Sequence, residues 1–233
     1  MNEYLVLVHE NEGAHLAQTP RAMAEVLSAQ SRYADRLRQG GHLRDFGRLR
    51  PSDEGRRVRC TPSGAVDLAQ GPFEDGGCCL SLYYWVHAAT LDDARNLAAE
   101  CPVLPADRIE LREVMKGRVP DGKLRQSGKV FGFAVLGEAA SRDDWDALMD
   151  RIDRETADHL PPRAFLGGVR LLAPSTIAKE RRAAFDGPYV ESKEVLGGLF
   201  FLRVPNIDEA IDWALASPYV VHGRLEVREL WRS

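Results

Sequence analysis

The chain is short of the features that assign a protein most quickly. Its 233 residues include only four cysteines. Cys60, Cys78, Cys79 and Cys101 form no Cys-x-x-Cys pair and have no neighbouring histidine at metal spacing, which argues against a zinc site and against a disulfide framework. They read as reduced thiols packed as small hydrophobes. No charge of one sign dominates: 31 basic and 35 acidic residues are interspersed, for a net charge of -4. A basic stripe for nucleic acid and a polybasic arm for a membrane surface are both missing, so neither partner is expected. There is no long apolar run near the N-terminus, where Tyr4 to Val8 is flanked by Glu3 and Glu10. That is neither a signal peptide nor a spanning helix, and a soluble cytoplasmic protein is the expectation. Phosphate loops, Ser-His-Asp order and metal-ligand spacing are absent too, so no cofactor and no metal are expected.

What is present is a repeat. Shifted by 116 positions, the stretch that begins at Gly71 falls without a gap on the stretch that begins at Gly187. Gly71 meets Gly187, Pro72 meets Pro188, Leu80 meets Leu196, Asp92 meets Asp208, Ala98 meets Ala214 and Pro102 meets Pro218. Arg108, Glu110, Arg112 and Glu113 meet Arg224, Glu226, Arg228 and Glu229. Register and punctuation are kept together, as expected of two copies of one module. Between them Lys116 to Lys129 is rich in glycine and charge and has no hydrophobic period, the composition of a linker. The expected division is a module over 1–117, a linker over 118–129 and a module over 130–233.

Within the first module Thr19 and Pro20 open an amphipathic helix that stops at Gly40 and Gly41, and Thr90 opens a second that stops at Pro102. Strands are expected at Tyr4 to Val8, His42 to Arg50, Arg56 to Pro62, Cys79 to His87, and Arg108 to Val114. The second module repeats the plan. It has strands at Val130 to Leu136, Ala164 to Leu172, Ile177 to Phe185, Leu199 to Val204 and Leu225 to Leu230, a helix from Ser141 to about His159, and a helix opened by Asn206 with Glu209 as a capping box. This is the β-α-β-β-α-β order of a ferredoxin-like module in the α+β class. The central strands are apolar on both faces, so one face goes to helices and the other to the sheet of the second module. The expected architecture is an intrachain pseudo-dimer resembling a dimeric α/β barrel, with a cleft between sheets for a small ligand. Self-association through sheet edges is a further expectation.

The string Asp186, Gly187, Pro188, Tyr189, followed by Glu191, Ser192, Lys193 and Glu194 and then by the pair Gly197 and Gly198, resembles the signature of the DGPF subgroup of YCII-related proteins. The run Asp208 to Ala214 extends the likeness. The first module is a degraded copy, with Gln70 in place of the aspartate. The resemblance implies a dimeric α/β barrel and, for activity, either a small-molecule lyase of the kind that acts on hydroxylated aromatics or a protein associated with alternative sigma factors. The His-Asp pair proposed as the active site in the wider group has no clean counterpart in the motif positions, so the resemblance carries over no catalytic residue.

The residues themselves offer three acid-base candidates. Asp186 is either a general acid or base or the carboxylate of an Asx turn, since each residue of Asp-Gly-Pro also has a turn role. His9 shares strand parity with Leu5 and Leu7 and is a base in the cleft or a surface histidine at a strand end. His87 ends a strand beside Tyr83 and Trp85, with Arg203 as its counterpart. Tyr83, Trp85, Arg170, Phe201 and Arg203 are the candidate substrate-binding side chains. Arg48 and Arg170, or Arg112 and Arg228, are carboxylate clamps or solvated charges on edge strands. Single histidines at His159 and His222 complete the set. The function expected is cofactor-free acid-base chemistry on a small molecule, with a non-catalytic binding or regulatory protein as the alternative.

Overall fold

The computed structural model describes residues 2–61, 63–71, 78–120, 127–138, 164–172 and 194–231, with residues 147, 150, 151 and 154 in addition. The fold is mixed α+β, with a sheet that is antiparallel at every described ladder.

In chain order the elements are β1 (Asn2–Glu10), α1 (Glu12–Leu16), α2 (Pro20–Gln39), β2 (Leu43–Arg48), β3 (Arg56–Cys60), β4 (Val66–Gln70), β5 (Cys79–Ala88), α3 (Leu91–Ala99), β6 (Arg108–Arg118), β7 (Val130–Glu138), β8 (Phe165–Leu171), β9 (Glu194–Arg203), α4 (Ile207–Ala216), α5 (Tyr219–His222) and β10 (Arg224–Glu229). The helices start where capping chemistry places them. The Thr19 hydroxyl accepts from the Ala22 N–H ahead of Pro20, Thr90 and Asp93 form a reciprocal capping box, and the Asn206 side chain accepts from Glu209. The second-module helix expected from Ser141 and the strand expected from Ile177 lie largely outside the described residues.

The strands form one sheet in the order β2-β5-β1-β6-β8-β9-β7-β10-β3-β4. Beyond this order, Leu49 just after β2 bridges Leu230 just after β10, and the Arg50 N–H donates to Glu229 O. Three apolar clusters follow from the alternation of side chains. Tyr4, Val6, Val8, Leu82, Tyr84 and Val86 pack on α2 and α3. Phe131, Phe133, Phe200 and Leu202 pack with Ala210 and Ala214 of α4. The opposite faces meet in a third cluster that joins Leu5, Leu7, Tyr83 and Trp85 of the first half to Val130, Ala134, Val169, Leu199 and Phe201 of the second.

Two readings of the sequence are corrected here. The stretch with linker composition begins inside a strand: β6 runs on through Lys116, Gly117 and Arg118, which pair with Arg170, Val169 and Gly168 of β8. The glycine that suggests a loop is required by packing, because a β-carbon at Gly117 would overlap the Trp85 indole. In addition, β3 and β4 form a hairpin that extends the second half of the sheet through β10, not the first. No described helix is long and apolar enough to cross a membrane.

Candidate functional site

Polar side chains concentrate at the C-terminal end of β1. His9 shares the face of Leu5 and Leu7 by alternation along β1, and a register shift that passes over Ser81 of β5 sets it opposite Leu80. There His9 Nε2 lies 3.2 Å from Glu110 Oε2, and Arg112 Nη1 donates to Glu110 Oε1 at 3.0 Å. Arg112 Nη2 also donates to the Leu172 carbonyl at 2.6 Å, which ties β6 to the end of β8. Burial alone would push the Glu110 carboxyl up, but hydrogen bonds from His9 and Arg112 with the Arg112 charge outweigh it and hold Glu110 below the usual range. Glu110 therefore stays a carboxylate and orients the imidazole. His9 keeps a 15% exposed side chain, while Glu110 and Arg112 are buried.

This placement corrects the view of Arg112 and Arg228 as solvated edge charges. Both are buried, at 2% and 1% exposure, because β6 and β10 are each paired on both sides and neither is an edge. Arg48 is likewise not a solvent charge. Its Nη1 and Nη2 grip Glu10 at 2.8 and 2.7 Å, and Gln30 bridges the pair.

Beside Glu10 lies a His-Asp pair. His15 Nε2 is 2.9 Å from both oxygens of Asp107, 92 residues further along the chain. The bond to Asp107 raises the His15 pKa, against the effect of burial. Glu10, His15 and Asp107 can offer three donor atoms within 4.8 Å of one another, the one such group among the described residues. The donors are already spent. Glu10 is gripped by Arg48, and Asp107 accepts from the Asn11 and Leu104 N–H groups at 3.0 and 2.8 Å. The arrangement fits a structural clasp for the loop after β1 better than a cation site.

The candidate substrate-binding aromatics come together but face no solvent. Tyr83 and Phe201 stack across the two halves with centroids 5.3 Å apart, and Tyr83 donates to Asp45 at 2.9 Å. Trp85 is fully buried and its Nε1 donates to Glu3 at 2.8 Å. His87 lies opposite Glu3 in the β1–β5 ladder, with Nδ1 4.0 Å from its carboxylate. His9 and His87 are therefore at opposite ends of β1, about 20 Å apart by strand rise. They do not share a site. Arg170 bonds Asp150 at 3.2 Å, and the Arg203 side chain packs near Gly128. Asp186, Glu191, Lys193 and His159 lie outside the described residues. The residues missed by sequence reasoning are Glu110, as the partner of His9, and the pair His15 with Asp107. The first had a readable signal, since His9 and Glu110 are both placed by strand parity, whereas nothing local links His15 to Asp107.

Residues 122–233 match the family model described as the YCII-related domain. No curated protein matches the chain. Among solved structures, a heme-binding protein from Thermus thermophilus aligns with a TM-score of 0.44 at 10% identity, covering 100% of this chain and 92% of that one. A mutant chlorite dismutase from Candidatus Nitrospira defluvii aligns with a TM-score of 0.43 at 7% identity, covering 99% and 90%. Likeness this distant carries no inference about ligand or reaction.

Proposed function

From a chain whose C-terminal half matches the YCII-related domain, we propose a cofactor-free acid-base enzyme of the lyase or isomerase type, acting on a small hydroxylated aromatic in the layer between the two halves. The chain is read as two tandem modules of the DGPF type, 1–117 and 130–233, closed into a barrel about that layer. The 116-residue repeat, the shared apolar cluster and the bridge from Leu49 to Leu230 support this.

The observation that carries the function is the relay of Arg112, Glu110 and His9. Arg112 fixes Glu110, Glu110 accepts a hydrogen bond from His9 Nε2–H, and Nδ1 is left with the lone pair needed to remove a substrate proton. A rigid carboxylate behind a half-buried imidazole is how acid-base sites hold one tautomer. The test is a screen of hydroxylated and halogenated aromatics for proton exchange or elimination. His9→Gln should abolish turnover, and Glu110→Gln should lower kcat by about 10²–10⁴-fold with KM little changed. Turnover that persists in His9→Gln overturns the reading.

A second reading, a non-catalytic binding or regulatory protein of the sigma-factor-associated kind, is favoured by one observation. The inter-sheet layer is filled by Tyr83, Trp85 and Phe201, all at 2% exposure or less. A stable protein partner recovered equally by wild type and His9→Gln would favour it.

A further inference from the structure

One edge of the sheet is open. β4 is its terminal strand, paired with β3 on one side, and among the described residues no strand pairs with the other side. All five of its residues are exposed. The hairpin fixes where its free main-chain groups point. The Thr61 N–H donates to Ala65 O at 2.8 Å, which makes Thr61 and Ala65 a hydrogen-bonded pair. Such pairs alternate along an antiparallel ladder, so Arg59 bonds with Asp67 and Arg57 with Ala69 across the hairpin. The N–H and C=O groups of Val66, Leu68 and Gln70 therefore point away from β3.

The side chains of this edge are unfinished as well. Leu225 of β10, Val58 of β3 and Leu68 of β4 stand in one row across the sheet. Their exposures are 0%, 0% and 49%, so the apolar face that packs against α4 and α5 breaks off at its last member. Val66, on the same face, is 52% exposed. Open edges are ordinarily blunted by Lys, Pro, a bulge or an inward charge. β4 reads Val-Asp-Leu-Ala-Gln in unbroken register with β3, and its one charge, Asp67, lies on the other face opposite Arg59.

We propose that β4 pairs antiparallel with β4 of a second copy of this chain, about a two-fold axis at Leu68. The strand itself selects that register. It sets Leu68 against Leu68 and Val66 against Gln70 of the other copy, all residues whose main-chain groups point outward, so each pair exchanges hydrogen bonds. It sets Asp67 against Ala69, so no like charges meet. A slip by one residue would oppose outward groups to groups already bonded to β3, and an axis at Asp67 would oppose two carboxylates. In the chosen register the row of Leu225, Val58 and Leu68 continues into the second chain. The pairing is isologous and closes at two chains. Five residues a side are far fewer than the roughly 20–30 of a standard interface, so the dimer is a weak one that fills at high protein concentration. It does not depend on the acid-base chemistry above.

Sedimentation equilibrium of the full chain over a wide concentration range, with amide hydrogen exchange on the same samples, is the test. Wild-type mass should rise from monomer toward dimer. The Val66, Leu68 and Gln70 amides should exchange about tenfold more slowly where about 90% of the chain is paired, while Asp67 and Ala69 keep one rate throughout. That measurement needs no variant. Leu68→Lys, at a half-exposed position, sets two ammonium groups opposite each other at the axis and should stay a monomer, as should Leu68→Glu. An equal mixture of the two should recover dimer mass, because opposite charges then meet. A wild-type monomer at every concentration overturns the proposal. Its three amides would then show whether the chain covers its own edge, by protection at every dilution, or leaves it to a foreign strand, by free exchange. A dimer whose three amides keep their monomer rates, or which Leu68→Lys leaves intact, uses another surface and overturns it too, as does a mixture that stays monomeric.

Discussion

The Trp85 indole occupies the space over Gly117, where a β-carbon would overlap Cη2 and Cζ2 of the ring. Trp85 is on a central strand of the first half, and Gly117 is at the point where β6 crosses to β8 of the second. The contact therefore sits on the seam between the halves. Gly117→Ala forces the ring or the strand to move in a filled layer, which costs about 1–3 kcal/mol. Chemical denaturation should show that loss, and a variant as stable as wild type would mean that the ring has room to turn.

This contact also marks what the sequence can and cannot tell. Helix limits were legible because each rests on chemistry within four residues: Thr19 and Pro20 before α2, Thr90 with Asp93 before α3, Asn206 with Glu209 before α4. That β5 and β9 are covered on both faces was legible from their nearly continuous apolar runs. Gly117 was misread because its reason is an indole 32 positions away in sequence, not a turn. β4 was missed because all five of its residues are exposed and give no face to read. At the site, the parity of His9 was visible, but its partner Glu110 is 101 residues away, and burial of Arg112 depends on β8 covering an edge that composition alone makes look solvated.

Stability should depend on pH through His15. Its folded pKa is raised above the ordinary 6.5, mainly by the bond to Asp107. A group raised on folding contributes fully below the unfolded value and loses that contribution as pH rises through the folded value. Wild-type stability should therefore decline as pH climbs above about 6.5. Asp107→Asn should flatten that decline, and urea midpoints measured across the range decide it. An unchanged slope in Asp107→Asn would show that another group titrates there.

The buried thiols should resist labelling. Burial pushes Cys79 up to about 11 and Cys101 up to about 12, so little thiolate exists near neutral pH. Cys60 on β3 is half-buried and should react first with a disulfide reagent under native conditions. Mass spectrometry of the labelled peptides orders the sites, and early labelling at Cys101 would show that α3 opens readily.

Arg48 and Glu10 give the sharpest energetic test, because the carboxylate is buried and its next cationic neighbour, His15, is 4.0 Å away and already bonded to Asp107. Glu10 is 4% exposed and receives both ends of the Arg48 fork, with Gln30 completing its shell. Arg48→Met strands a buried carboxylate and should cost about 3–5 kcal/mol. In a Glu10→Gln background the same change leaves no charge behind, so most of the cost should vanish. Urea unfolding of the two single variants and the double variant yields the coupling. Equal costs in the two backgrounds would show that Arg48 contributes by packing its stem, not by pairing its charge.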